Sequence, residues 1–106
     1  MWFRRIPSIT PEQAIERQAV GDLVLVDVRE PVELRGGHIG GAVNIPLRQL
    51  RARLHELDRN QPVAFLCRSG ARSASAARLA SKAGYDAVNV RGGVGAWARA
   101  GLQLTQ

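Results

Sequence analysis

The feature that most limits the possible folds is the alternation of short apolar runs with helical patterns along the 106 residues. Residues 23–28 are almost all branched and apolar, which predicts a strand buried on both faces. Further strands are expected at residues 42–44, 62–66 and 87–90. Strands that alternate with helices along a chain are typical of a parallel sheet covered by helices. The pattern therefore predicts an α/β fold.

Helical segments separate these runs. Thr10 and Gln13 can form a capping box around Pro11, which predicts a helix over residues 11–20. A short helical turn is expected over residues 29–35. Further helices are expected at residues 47–57, where Leu47, Leu50, Leu54 and Leu57 form one apolar stripe, at residues 73–83, with Arg72 or Ser73 as the cap, and at residues 94–100.

Length and composition narrow the class of protein. We expect residues 1–106 to form one domain, because 45% of them are hydrophobic and the chain is long enough for one core. The single cysteine excludes an intramolecular disulfide framework and an all-cysteine zinc site. Arg4 and Arg5 precede no apolar signal segment, and no run reaches membrane-spanning length. We therefore expect a cytoplasmic protein without a membrane partner, a metal or an organic cofactor.

The formal net charge of +6 raises the question of nucleic-acid binding. However, the arginines are spread along the chain, Lys82 is the only lysine, and no aromatic stacking platform lies among them. We therefore expect no nucleic-acid partner. The local excess of positive charge near Cys67 is different, because such an excess attracts small anions. It predicts an anionic substrate.

Cys67 marks the candidate site. It stands where an apolar run ends and a glycine-containing loop leads into an Ala-rich helical segment. Backbone N–H groups and the positive end of the helix can then point at one sulfur, which favours a nucleophilic thiolate. The adjoining residues would bind the anion, chiefly through the guanidinium groups of the two arginines, although Arg68 can also face solvent. These candidate binding residues are Arg68, Ser69, Gly70, Ala71, Arg72 and Ser73.

Polar residues also follow the neighbouring strands. Asp27 and Arg91 stand at strand ends, and ligands bind beyond the carboxyl ends of parallel strands. Asp27 and Arg29 are expected to support the loop, because a bare carboxylate beside the thiolate would raise the pKa of the thiol. Arg91 is a further candidate supporting residue. His38 is a candidate for a Cys–His pair, in which a base activates the nucleophile.

Three ordered motifs resemble the single-domain rhodaneses, a family of sulfurtransferases. They are LVDVRE with GHIGGAVNIPL, CRSGARS, and VRGGVGAW. The resemblance implies a three-layer α/β/α sandwich around a five-stranded parallel sheet, with Cys67 carrying a persulfide. It implies sulfur transfer from thiosulfate or a similar anionic donor to a thiol, cyanide or thiol-protein acceptor. It also implies a structural role for His38.

Two other functions stay open. Rhodanese-like scaffolds include Cdc25-like phosphatases and arsenate reductases, whose loop is one residue longer. Here four residues separate Cys67 from Arg72, which favours sulfur transfer over phosphate binding. The second alternative is a non-catalytic binding or regulatory module. The intact loop argues against it, because inactive relatives commonly lack the cysteine. The natural donor, the acceptor and the oligomeric state stay undetermined.

Overall fold

The computed structural model describes residues 6–106, so the amino-terminal arginines considered above lie outside the described residues. Within these residues, five strands form one sheet, and each strand is parallel to its neighbours. The strands are β1 (Ser8–Ile9), β2 (Val24–Asp27), β3 (Val43–Asn44), β4 (Val63–Leu66) and β5 (Ala87–Val90). Their order across the sheet is β1-β5-β4-β2-β3, which makes β4 the central strand.

Helices cover both faces of the sheet. Those in the described part of the chain are α1 (Pro11–Ala19), α2 (Leu47–Arg53), α3 (Ala71–Lys82) and α4 (Gly93–Arg99), with 3-10 segments at Pro31–Gly36 and Leu54–Glu56. Helices α2 and α3 pack on one face, and α1 and α4 on the other. The prediction of a three-layer α/β/α sandwich around a five-stranded parallel sheet is confirmed. No helix within residues 6–106 is long and apolar enough to cross a membrane.

The central strand contributes to two cores, because successive side chains of a strand point to opposite faces. Phe65 packs with Leu50 and the α3 alanines on one face, whereas Leu66 packs with Trp97 of α4 on the other. All four residues of β4 are buried, as are three of the four in β2. This burial on both faces explains the continuous apolar runs in the sequence.

The local predictions hold with three differences. The capping box of α1 is present, since Thr10 and Gln13 exchange side chain-to-backbone hydrogen bonds of 3.1 and 2.9 Å. The leucine stripe spans α2 and a following 3-10 turn instead of one helix. Strand β1 was not predicted, because two residues show no periodicity. The third difference, the start of α3, affects the site.

Candidate active site

The register of the sheet places Cys67 directly after the central strand. Leu66 pairs with Asp27 of β2, and Phe65 pairs with Asn89 of β5. Cys67 therefore lies at the carboxyl edge between the ends of two strands, where open parallel sheets bind ligands. Its side chain faces the α2–α3 side and is only 1% exposed.

Hydrogen-bond donors surround the Cys67 sulfur. The backbone N–H of Gly70 donates to Sγ at 3.0 Å, and the Ser73 hydroxyl lies 3.4 Å from the same atom. Burial acts to raise the pKa of the thiol, but hydrogen bonds from the Ser73 hydroxyl and from the backbones of Ser73, Gly70 and Ser69 outweigh it. The net effect lowers the pKa of Cys67. The loop therefore favours the thiolate.

Gly70 is the residue at which the loop becomes helix. It caps α3 with a φ of 113°, a left-handed conformation that glycine adopts without steric cost. The prediction that Arg72 or Ser73 caps this helix is wrong, because the helix begins at Ala71. Because Ser73 lies inside the first turn, its hydroxyl turns back to the Gly70 carbonyl at 3.1 Å and to the sulfur.

Asn89 is a site residue that sequence reasoning missed. Its Oδ1 lies 2.6 Å from the Ser73 hydroxyl, and its Nδ2 donates to the Gly70 carbonyl at 3.3 Å. Register explains this position, since Asn89 pairs with Phe65 and so faces the same side of the sheet as Cys67. A polar residue within an apolar strand was the available signal. Asn89 holds both the loop carbonyl and the serine that contacts the sulfur.

The first turn of α4 supports the Cys67 loop through backbone contacts. Backbone N–H groups of Val94 and Gly95 donate to the carbonyls of Cys67 and Arg68 at 2.8 and 3.1 Å. Gly93, at a φ of 58°, approaches so closely that an added Cβ would overlap the Cys67 carbonyl oxygen. Arg91, predicted as a supporting residue, is exposed, and its side chain forms no hydrogen bond with any other described residue. The contacts come instead from the backbone that follows it.

Arg72 is engaged by a carboxylate that the sequence did not indicate. Its guanidinium forms two hydrogen bonds with Glu33, of 2.8 and 2.9 Å. The sequence predicts Arg72 as an anion contact, and in the structure Glu33 occupies both terminal nitrogens of its guanidinium. The hydrogen bonds to Arg72 lower the pKa of Glu33 to about 2 and raise that of Arg72, and the nearby charge of Cys67 raises it further. Arg72 therefore contributes its positive charge to the site, while the two terminal nitrogens of its guanidinium are held by Glu33.

Asp27 and Arg29 form a buried ion pair beneath this arrangement. Asp27 accepts from the Arg29 side chain at 2.8 to 3.1 Å and from its backbone N–H at 3.0 Å. Arg29 in turn donates to the carbonyls of Glu33 and Gly37. Because Asp27 pairs with Leu66 in the register, its side chain faces away from Cys67. The pair therefore positions the segment that carries Glu33. The Asp27 carboxylate itself stays away from the sulfur.

Exposed residues border the loop. Arg68, Ser69 and Ala71 are all exposed, and the Arg68 side chain forms no hydrogen bond with the part of the chain that is described. Arg68 is therefore available to an incoming anion. His38 instead joins its backbone to Thr105 in an antiparallel bridge, and no hydrogen bond in residues 6–106 links its ring to Cys67. Those residues hold no group of three or more metal-ligating side chains.

Comparisons with known proteins identify a family and similar structures. The rhodanese-like domain family matches residues 10–100. A sulfurtransferase of Allochromatium vinosum is 42% identical over 101 residues, which cover 93% of this chain and 94% of that protein. The putative sulfurtransferase YtwF of Bacillus subtilis is 35% identical over 97 residues, 92% of each. The crystal structure of a rhodanese-related protein from Thermoplasma volcanium superimposes with a TM-score of 0.87 and 34% identity, over 93% of this chain and 97% of that one. The chain belongs to the rhodanese-like family.

Proposed function

We propose that this protein is a sulfurtransferase that carries sulfane sulfur as a persulfide on Cys67. Its donor is a small anion such as thiosulfate, and its acceptor is a thiol, cyanide or a protein thiol. The observation that carries the proposal is the position of the Cys67 sulfur, 3.0 Å from the Gly70 N–H and 3.4 Å from the Ser73 hydroxyl at the carboxyl edge of the sheet. The sulfurtransferase names of the relatives support the same chemistry.

The reaction divides into two balanced transfers. The Cys67 thiolate attacks the outer sulfur of thiosulfate, the S–S bond of the donor breaks, and sulfite leaves with the bonding electron pair. An acceptor thiolate, having lost its proton to solvent, then attacks the outer sulfur of the persulfide. This step forms a persulfide on the acceptor and regenerates the Cys67 thiolate. The enzyme needs no external oxidant or reductant for either step.

The hydrogen-bond donors of the Cys67 loop accelerate sulfur transfer more than the lowered pKa of the thiol does. A lower pKa increases the thiolate fraction, but the intrinsic nucleophilicity falls with a Brønsted slope of about 0.4–0.5, so much of the gain is lost. Fixed N–H groups and arginine charge also stabilise the negative charge that moves to the outer sulfur and to the leaving sulfite. Arg68, which is exposed beside the loop, is the side chain we assign to the approaching donor.

Burial of the thiol favours a donor with a small reacting end. Cys67 is 1% exposed, so the reacting atom must enter the loop, as the terminal sulfur of thiosulfate can. A phosphoryl group would require an arginine fork inside the loop, and the fork of Arg72 is held by Glu33. Both observations support sulfur transfer over phosphate hydrolysis.

The test is the intact mass of the purified protein before and after thiosulfate treatment. Wild type should gain one sulfur atom and lose it on addition of cyanide, with thiocyanate as the product. Cys67→Ser is the matched control and should gain nothing. Hydrolysis of an aryl phosphate is measured on both proteins in parallel.

Two results would contradict the proposal. One is a wild-type protein that never gains mass, which would leave the scaffold as a binding module. The other is cysteine-dependent phosphate hydrolysis that is faster than sulfur transfer, which would make the protein a phosphatase.

A further inference from the structure

A basic cleft lies between α2 and α3, outside the site described above. Its volume is about 380 Å³. Three cationic side chains line it, together with one hydroxyl and one leucine: Arg51, Arg78, Lys82, Ser75 and Leu79. No carboxylate is among these lining residues. The sulfur chemistry of Cys67 uses none of them.

The charges of this cleft are not neutralised within residues 6–106. None of its three cations forms an ion pair there, whereas Arg17, Arg48 and Arg53 on other helical surfaces each pair with a carboxylate. Arg78 and Lys82 stand four residues apart on α3, so they are neighbours on one helix face. The cleft therefore concentrates positive charge that the fold does not use for its own packing.

The cleft begins close to the Cys67 loop. Helix α3 starts inside that loop, and Ser75 lies three residues after Arg72, so the two share a face one turn apart. From Ser75 to Lys82 the helix rises about 10 Å, at about 1.5 Å per residue. A chain segment lying in the cleft would thus run along α3 and have one end near the loop.

The chemistry of the lining favours an acidic polypeptide. Side-chain carboxylates can pair with the three cations, while Leu79 offers an apolar contact and Ser75 a hydroxyl. A nucleic acid would use aromatic stacking surfaces for its bases, and the lining contains none. Opposite charge on a partner also speeds its encounter and fixes its orientation.

We infer that this cleft is the docking site for an acidic segment of the protein that accepts sulfur from Cys67. The inference rests on the proposed function and extends it by naming the acceptor as a thiol protein with carboxylates next to its reactive cysteine. Small acceptors such as cyanide would bypass the cleft.

Two synthetic peptides serve as probes. Each carries a fluorescent label, a short glycine spacer and one cysteine, and they differ only in a run of glutamates that is replaced by glutamines in the second. Binding to the unloaded protein is followed by anisotropy. The rate of sulfur transfer from the persulfidated protein to each peptide is measured separately by mass.

Arg78→Gln and Arg17→Gln form the matched pair of variants, since each removes one positive charge. Arg17 lies on α1, across the sheet from the cleft. Wild type should bind the glutamate peptide at least about tenfold more tightly than the glutamine peptide, equivalent to about 1.4 kcal/mol. Arg78→Gln should weaken that binding about threefold or more, and Arg17→Gln should leave it within error.

Equal losses in the two variants would overturn the inference, because net charge alone would then explain the binding. Tighter binding of a single-stranded oligonucleotide through Arg78 would also overturn it and assign the cleft to nucleic acid. Failure of the proposed function is distinguishable. In that case no persulfide forms, while the anisotropy measurement still reports whether the acidic peptide docks.

Discussion

At the scale of single residues, Ser73 is one of the groups that lower the pKa of the Cys67 thiol. Its hydroxyl lies 3.4 Å from the sulfur and is itself held by Asn89 at 2.6 Å. Ser73 lies in the first turn of α3, and Asn89 faces α3 from the neighbouring strand β5. The single proton of this buried hydroxyl is shared among three acceptors, which are the sulfur, the Gly70 carbonyl and Asn89 Oδ1.

Ser73→Ala should raise the pKa of Cys67, because the substitution removes a side-chain hydrogen bond that lowers it. The rate of alkylation by iodoacetamide as a function of pH reports that pKa. Ser75→Ala, on the exposed side of the same helix, is the matched control and should leave the profile unchanged. An unchanged profile for Ser73→Ala would mean that the backbone donors alone stabilise the thiolate.

The Glu33–Arg72 pair gives a second prediction at this scale. Arg72→Gln should lower kcat/KM for thiosulfate about tenfold, because it leaves the Glu33 carboxylate uncompensated near the loop, where it repels the anion. The double variant Glu33→Gln with Arg72→Gln should recover much of this loss. Steady-state kinetics on wild type, both single variants and the double variant complete a double-mutant cycle. If the double variant is as slow as Arg72→Gln, the arginine binds the donor directly, as the sequence motif indicated.

At the scale of elements, the site depends on a contact between the Cys67 loop and the first turn of α4. The loop joins β4 to α3 and carries Cys67, and α4 begins at Gly93. The hydrogen bonds from Val94 and Gly95 join them. Because these hydrogen bonds bring the two backbones close together, the geometry depends on the absence of a side chain at Gly93.

Gly93→Ala should destabilise the protein by about 3 kcal/mol or more and reduce sulfur transfer, since it combines left-handed strain with overlap in a packed region. The added Cβ would lie 2.9 Å from both the C and O atoms of Arg68. Gly101→Ala is the control, because Gly101 has a φ of 77° and nothing within 4 Å of an added Cβ. It should cost only the strain, about 1–2 kcal/mol. Urea unfolding and the rate of sulfur transfer are measured on both variants. Equal losses in Gly93→Ala and Gly101→Ala would contradict the prediction, because backbone strain alone would then explain them.

At the scale of the whole molecule, the Glu33–Arg72 ion pair couples stability to pH. The pKa of Glu33 is lowered from 4.5 to about 2 in the folded protein, chiefly by its hydrogen bonds to Arg72. A carboxyl group with a lowered folded pKa stabilises the fold above its unfolded value and loses that contribution as the pH falls through the folded value. The contribution of Glu33 is therefore complete above pH 4.5 and declines between that pH and about 2.

Glu33→Gln should lower the free energy of unfolding at about pH 6 by about 1 kcal/mol, a value reduced for the solvent screening of this partly exposed pair. The difference from wild type should shrink at about pH 3, because the Glu33 carboxyl of the unfolded state binds a proton there while that of the folded state is still largely ionised. Denaturant unfolding of wild type and Glu33→Gln at both pH values measures this difference in the free energy of unfolding. A difference that is constant with pH would show that the substitution acts through packing instead of charge.

The features that could be read from the sequence are those set by neighbours along the chain. Continuous apolar runs indicated strands buried on both faces, Thr10 and Gln13 indicated the start of α1, and the loop before α3 indicated a thiol beside a helix end. The partners of the site side chains required the fold. Arg72 meets Glu33, 39 residues away, and Ser73 meets Asn89, 16 residues away. The register of parallel strands brings such pairs together, and register depends on packing between elements that are distant in the sequence.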